Sequence, residues 1–320
     1  MDGQRRFARI TVRTSVAVEN LASLMLTRKV PDQGRSISRY ASDAPEYRVL
    51  SAKMLAIMMC ALTGTLFIYQ GQEIGMINIP KDWSIDELRD IESVNFYKAT
   101  AASTNNDKEA LDYVMRSLQI LGRDNARLPM RGFPSFSLFF CCPGGCEYRT
   151  PPRQERLRNV QLCGYQLIFA TEWDSSAFAG FTDNKDGAWM RVHDLYPEIN
   201  VASQIEDPES TYSFWKSMIW FRKEFKEVLV HGAFELFEPD NEQTFVFAKK
   251  HGNQMAVVCL NFTSEVQQVE LPVDSLVFRV GNYPDSQGAE KDKTGRTAGL
   301  RPWEGRLYML REEGEKVSRE

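Results

Sequence analysis

Apolar residues recur along this chain with two different periods. Val49, Leu50, Met54, Ile57, Met58 and Ala61 fall three and four places apart, and with Lys53 on the same side they predict a helix whose methionine-rich stripe packs into a core. Asp43 and Glu46 flank Pro45 at the spacing of a capping box, and Gly64 supplies the stop. The next five residues, 65–69, are Thr-Leu-Phe-Ile-Tyr, a run closed by Gly71. A short β-prone run without alternation predicts a strand buried on both faces, which belongs to a parallel sheet. Gln70, Gln72 and Glu73 then collect at its carboxyl end, where parallel α/β folds place their chemistry.

A polar connection with Asp82, Asp86, Glu87, Asp90 and Glu92 leads to a predicted helix over 107–121. Asp207 with Pro208 opens another, with Phe214, Trp215, Met218, Ile219, Phe225 and Leu229 on one side and Gly232 at its end. From there the period changes to two. Runs at 244–248, 255–260, 266–271, 276–280 and 306–310, with a His-Gly-Asn-Gln turn at 251–254, predict an antiparallel β-sandwich. Residues 131–172 show neither period. The fold class is therefore α/β plus all-β.

Composition narrows the function classes. With 320 residues, 43% hydrophobic and 26% charged, the chain reads as an ordinary soluble protein with room for several domains. A formal charge of −4 gives no electrostatic case for nucleic acid, and no apolar run is long enough to span a membrane. Of six cysteines, Cys141, Cys142, Cys146 and Cys163 crowd into the aperiodic segment, while Cys60 and Cys259 lie in apolar runs. That distribution points to buried thiols in a reducing, cytoplasmic setting, and the cluster lacks zinc-knuckle spacing. No metal and no cofactor are expected. Residues 1–30 are basic, with Arg5, Arg6, Arg9, Arg13, Arg28 and Lys29, yet carry no apolar helical face. They read as a disordered leader or mis-assigned start, not a targeting signal. Asn261-Phe-Thr263 reads as a chance glycosylation triplet.

Tyr69-Gln-Gly-Gln-Glu-Ile-Gly75, preceded by Leu62-Thr-Gly-Thr-Leu66, resembles the eighth barrel strand of the α-amylase superfamily, glycoside hydrolase family 13, and within it the fungal α-glucosidases. The resemblance runs through 32–130 and 173–312. It implies the carboxyl-terminal part of a (β/α)8 TIM barrel followed by the β-sandwich, and retaining hydrolysis of short α-linked glucosides. Asp32 and Gln33 fall on the end of the family's Glu-Asn-His-Asp-Gln motif, with Pro31 in place of the histidine. Asp32 thereby takes the part of the carboxylate that stabilises the transition state, and Gln33 that of a sugar contact. Arg123, in Arg-Asp-Asn-Ala-Arg-Leu-Pro-Met130, matches the arginine that grips the terminal glucose, and Glu92 lines the pocket mouth. The family's nucleophile and acid/base motifs do not occur here, so the chain as given is expected to be an incomplete, inactive form.

The domain reading that follows has a leader at 1–30, a partial barrel at 31–130, an irregular insert at 131–172, the end of the barrel with linking helices at 173–231, the sandwich at 232–313 and a tail at 314–320. Deleting 131–172 restores the family pattern almost completely, which marks the insert as a translated intron. The partner expected is a small oligosaccharide, and the complete protein is expected to be monomeric. Two other readings share the scaffold: a non-catalytic partner protein, and an isomerase or transglucosylase.

Overall fold

The computed structural model describes residues 34–129, 190–285, 293–294 and 296–310. The expected leader, the 131–172 insert and the tail lie outside these residues. The chain forms helices α1 (Ser36–Tyr40), α2 (Arg48–Ala61), α3 (Ile91–Ser103), α4 (Lys108–Leu121), α5 (Val201–Gln204), α6 (Thr211–Glu224) and α7 (Lys226–Leu229). Eight strands follow: β1 (Ala233–Phe237), β2 (Thr244–His251), β3 (Gln254–Asn261), β4 (Gln267–Glu270), β5 (Leu276–Gly281), β6 (Lys293–Thr294), β7 (Thr297–Leu300) and β8 (Gly305–Leu310). They make two antiparallel sheets, one in the order β1-β2-β3-β8-β5 and one in the order β4-β7-β6. Among the described residues no helix is long and apolar enough to cross a membrane.

The five-stranded sheet is a middle layer, because both of its faces are covered. Successive strand residues point to opposite sides, and Phe245, Phe247, Ala256, Val258 and Leu260 meet Met54, Ile57 and Met58 of α2 in one core. Their neighbours Val246, Ala248, Val257 and Cys259 meet Val269, Ala298 and Leu300 of the smaller sheet in another. This explains why β2 and β3 read as nearly continuous apolar runs. Gly305 marks a close approach of helix and sheet: a Cβ there would stand 3.0 Å from Leu260 and 3.2 Å from both Ile57 and Met54.

The helix predicted from the methionine stripe forms, and it is buried over almost its whole length. Its start differs from expectation. Asp43 and Glu46 make no capping box; a turn intervenes, with the amide of Arg48 donating to Ala44 O at 2.8 Å, and the helix begins without a side-chain cap. The Asp207 start is likewise displaced, since Ser210 is the N-cap of α6 and accepts from Ser213 N, while Asp207 accepts from Glu209 N in the preceding turn. Helix α4 forms over the span predicted from the sequence, and Asp107 caps it by accepting from Ala110 N. Helix α3 was read as a polar connection; it has no apolar stripe, with Ile91 and Phe96 exposed, and Asp90 defines its start by accepting from Ser93 N.

Residues 65–69 carry no regular structure and are at most half-buried. A strand is a relation between two segments, and among the described residues none pairs with this one. What fixes it is the end of α2. A helix that stops inside a protein leaves its last carbonyls without intrahelical partners. Here Arg222 of α6, itself buried, donates through Nη1 to Cys60 O at 2.6 Å and Leu62 O at 2.7 Å, and through Nη2 to Gly64 O at 2.5 Å. Lys249 of β2, also buried, donates to Thr63 Oγ1. Two cations thus sit at the negative end of the helix dipole.

Burial, with Arg222 nearby as a second cause, pushes the Lys249 ammonium down to about 8. Its unfolded value is 10.5, so between these values the unfolded chain holds a proton that the folded chain has released. Stability therefore rises with pH across that window. Denaturant unfolding from pH 7 to 10.5 is expected to show this rise in the native chain and to lose it in Lys249→Met. Burial also pushes the thiols of Cys60 and Cys259 up to about 12, and both cysteines are free. Alkylation of the native protein followed by peptide mapping is expected to leave both unmodified. Asn261 is equally inaccessible: its Nδ2 donates to Glu265 O at 2.7 Å and Arg301 O at 2.8 Å from a fully buried position, so the folded triplet cannot accept a glycan.

Candidate functional site

The polar turn after residues 65–69 and the Arg-Asp-Asn-Ala-Arg motif converge on one buried side chain, Arg35. Its Nε donates to Asn125 O at 3.0 Å, Nη2 to Ala126 O at 3.3 Å and Nη1 to Gln70 O, and its guanidinium lies 5.5 Å from the centre of the Tyr69 ring. A planar guanidinium presents several donors in fixed directions, which suits it to tie separate strands of backbone together. Tyr69 repeats the link, its hydroxyl donating to Ala126 O at 3.1 Å. Within the turn, Gly71 and Gly75 hold positive φ of 84° and 77°, a conformation that glycine adopts without strain. Gln72 is buried and donates to the Met59 sulfur at 2.8 Å, which anchors the turn on α2.

Asn78 extends the hub. Its Oδ1 accepts from Arg35 N at 2.6 Å, its Nδ2 donates to Gln119 O at 2.9 Å, and its carbonyl receives Nε2 of buried His193 at 2.9 Å. Asn125 closes the circuit by accepting from Ile79 N at 3.1 Å and donating to Gly122 O at 2.9 Å. An apolar cluster of Ile74, Met76, Ile79, Trp83, Leu88, Leu128, Met190 and Ile199 lies among these loops.

The motif at 123–127 divides its work between neighbours. Asp124 is buried, and its Oδ2 accepts the backbone amides of Arg89 and Asp90 at 2.9 Å each. Asp90 accepts from Ser93 and stands 3.7 Å from Arg123 and 3.8 Å from Arg127. Arg123 is part-exposed and makes an ion pair with Glu92, whose side chain is 78% exposed. The two sugar-contact candidates Arg123 and Glu92 are therefore brought together, at the mouth of α3 and against each other. Asp32 and Gln33 lie outside the described residues, immediately before Gly34. Glu73 is buried near Tyr212, which it affects electrostatically.

A cleft lined by Gly34, Arg35, Tyr69, Gln72, Met76 and Ala126 has a volume of about 20 Å³. That admits a water molecule, whereas small-molecule pockets run to roughly 300–1,000 Å³. The arrangement can present donors and a carboxylate to a polar ligand at the surface beside Arg123. Sequence reasoning missed Arg35, Asn78, Asp124, Asn125 and His193. Asp124 was visible within the quoted motif; nothing local marks Arg35 as buried.

The family model described as alpha amylase, catalytic domain, matches residues 6–140 and 169–232. It begins inside the basic segment, ahead of the resemblance at 32–130, and it passes over 141–168. An α-glucosidase of Candida albicans is 34% identical over 283 residues, covering 87% of this chain and 41% of that protein. An oligo-1,6-glucosidase of Saccharomyces cerevisiae is 33% identical, covering 87% and 40%. The chain spans about two fifths of the length of these curated relatives. Among solved structures, an isomaltulose synthase variant of Erwinia rhapontici in complex with sucrose is similar with a TM-score of 0.65 and 26% identity, covering 88% of this chain and 42% of that one. The trehalulose synthase of Pseudomonas mesoacidophila is similar with a TM-score of 0.66 and 27% identity, with the same coverage.

The geometry separates the two arginines experimentally. Arg35→Met leaves the buried carbonyls at 125 and 126 and the part-buried one at 70 without this donor and is expected to cost about 3 kcal/mol. Arg123→Ala removes a part-exposed ion pair and is expected to cost under about 1 kcal/mol. Urea unfolding of the two variants checks the order.

Proposed function

The chain belongs to the alpha-amylase family, and from that premise we propose that it acts as part of an α-glucosidase, a retaining hydrolase of short α-linked glucosides such as maltose and isomaltose. In this reading it supplies the last strands of a (β/α)8 barrel and the β-sandwich beyond them. The observation that carries the reading is the meeting of the 69–75 turn and the 123–127 turn on Arg35, in a stretch one third identical to curated α-glucosidases. Two antiparallel sheets sharing a buried core support the sandwich.

Retaining hydrolysis takes two carboxylates about 5 Å apart, one attacking the anomeric carbon and one exchanging protons with the leaving oxygen. This chain offers supporting residues. Asp32 would stabilise positive charge developing on the sugar ring, and Gln33, Arg123 and Glu92 would hold its hydroxyls. Arg123 suits that work because its guanidinium can present two parallel donors to a diol or carboxylate. With no counterpart of the catalytic pair in its motifs, and a water-sized cleft beside Arg35 among the described residues, the chain by itself is not expected to turn over substrate.

Isomerase or transglucosylase chemistry is the second reading, favoured by the likeness to isomaltulose and trehalulose synthases. We also read 131–172 as a translated intron, whose middle, 141–168, the family match passes over while it runs into both ends; transcripts from which the segment is never removed would overturn that.

The function is tested in a chimera that places this chain, with and without 131–172, in the matching part of the Candida albicans α-glucosidase. Hydrolysis of p-nitrophenyl α-glucoside is expected from the chimera, with loss in Asp32→Ala, and none above background from the isolated chain. Conversion of sucrose into an isomeric disaccharide would favour the second reading. A folded chimera that does neither would sink both.

A further inference from the structure

We propose that residues 65–69 dock on the same stretch of a second copy of this chain, as an antiparallel strand pair centred on Phe67. No backbone group of Thr65, Leu66, Phe67 or Ile68 has a hydrogen-bond partner among the described residues, and Phe67 is 49% exposed. Leu66 and Ile68 pack partly against the core that holds α2, while Thr65 and Phe67 are exposed. That is the alternation of a strand with one face covered. Free apolar edges invite pairing with another chain, and proteins guard against it with charge, proline or a covering element. The edge strands β1, β4 and β5 carry such guards in Glu235, Glu270 and Arg279. Residues 65–69 have none: from Met54 to Gln72 no residue is charged and none is proline. Arg222 and Lys249, which reach Gly64 and Thr63, are themselves buried.

What selects a second copy is that the stretch complements itself. A two-fold axis through Phe67 sets Leu66 opposite Ile68, Thr65 opposite Tyr69 and Phe67 opposite its own counterpart, so that apolar meets apolar, hydroxyl meets hydroxyl and ring meets ring. The backbone favours the same centre. Tyr69 is already committed to the turn, its amide donating to Gln72 Oε1 at 3.3 Å and its carbonyl accepting from Gln72 N at 2.9 Å. A pair centred on Phe67 does not need those groups: with Phe67 at a non-hydrogen-bonded position, the amides and carbonyls of Leu66 and Ile68 are exchanged across the axis. Five residues a side fall short of the roughly 1,000 Å² of a lasting complex, so the association is weak, in the micromolar range. It does not rest on the α-glucosidase reading; a complete barrel would flank the stretch with its own strands and leave no edge to share.

The test uses the full chain and needs no activity. Sedimentation over a range of concentrations is expected to show reversible association to a dimer. Phe67→Lys sets two ammonium groups opposite each other and is expected to weaken that association about tenfold or more, with the circular dichroism of the chain unchanged because Phe67 faces outward. Phe67→Cys is expected to form a disulfide with its own counterpart, since facing Cα atoms in a non-hydrogen-bonded pair stand about 4.5 Å apart. Peptide mapping locates the link at position 67 of both copies. Thr65→Cys, which faces Tyr69 across the axis, is expected not to link to itself. A chain that stays monomeric at every concentration, whether the stretch is bare or covered by other residues of its own, would overturn the proposal. So would a dimer undiminished in folded Phe67→Lys. A link at Thr65→Cys formed as readily as the one at Phe67→Cys would overturn it too, even where Phe67→Lys does not fold.

Discussion

A helix that ends in a protein interior must find donors for its last carbonyls, and α2 meets that requirement with side chains from two other elements. Arg222 reaches it from α6 and Lys249 from β2. Because carbonyls at Cys60, Leu62 and Gly64 accept from one guanidinium, the helix, the helix behind it and the central sheet are fixed together at a single point. The cores on either side then have a frame against which to pack. Gly305, facing Met54 and Ile57, lets that frame close.

The hub at Arg35 solves the same problem with the same chemistry. In both places a buried arginine is matched to backbone oxygens, which are fixed in direction, where a carboxylate on a long side chain would first have to be ordered. Burying a carboxylate calls for donors around it, and Glu304 has them. Glu304 receives Nε and Nη2 of Arg306 at 2.9 and 3.0 Å and the amide of Arg301 at 2.7 Å, which holds it below the ordinary carboxylate range despite burial. Exposed pairs such as Lys250 with Glu235 decorate the surface and decide little.

What the sequence made legible were features whose cause is local. The stripe from Val49 to Ala61, the start of α4 near 107 and the apolar runs of β2, β3 and β8 each carry their signal within a dozen residues. Starts of helices were less secure, because several residues competent to cap stand close together: Asp207 was the obvious choice, yet Ser210, three residues on, makes the bond to Ser213 N. Residues 65–69 have the composition of a buried strand, but pairing depends on a second segment that no local pattern supplies. Arg35 is the extreme case. Its burial is set by Asn125, Ala126 and Gln70, up to ninety-one residues away, so nothing near it distinguishes it from an ordinary surface arginine.

The candidate site follows from this division between fixed backbone and free side chains. Asp124 and Arg35 hold the turns on either side of Arg123, so Arg123 itself is not needed to keep them in place. Its partner Glu92 sits on the exposed first turn of α3, whose position is secured separately by Asp90 and Ser93. An exposed ion pair of this kind contributes between nothing and about 1 kcal/mol. Exchanging Glu92 for hydroxyls of a ligand is therefore nearly free in energy, while the guanidinium stays aimed by the buried scaffold beneath it. The same motif supplies the rigid part and the replaceable part of the candidate site, one residue apart.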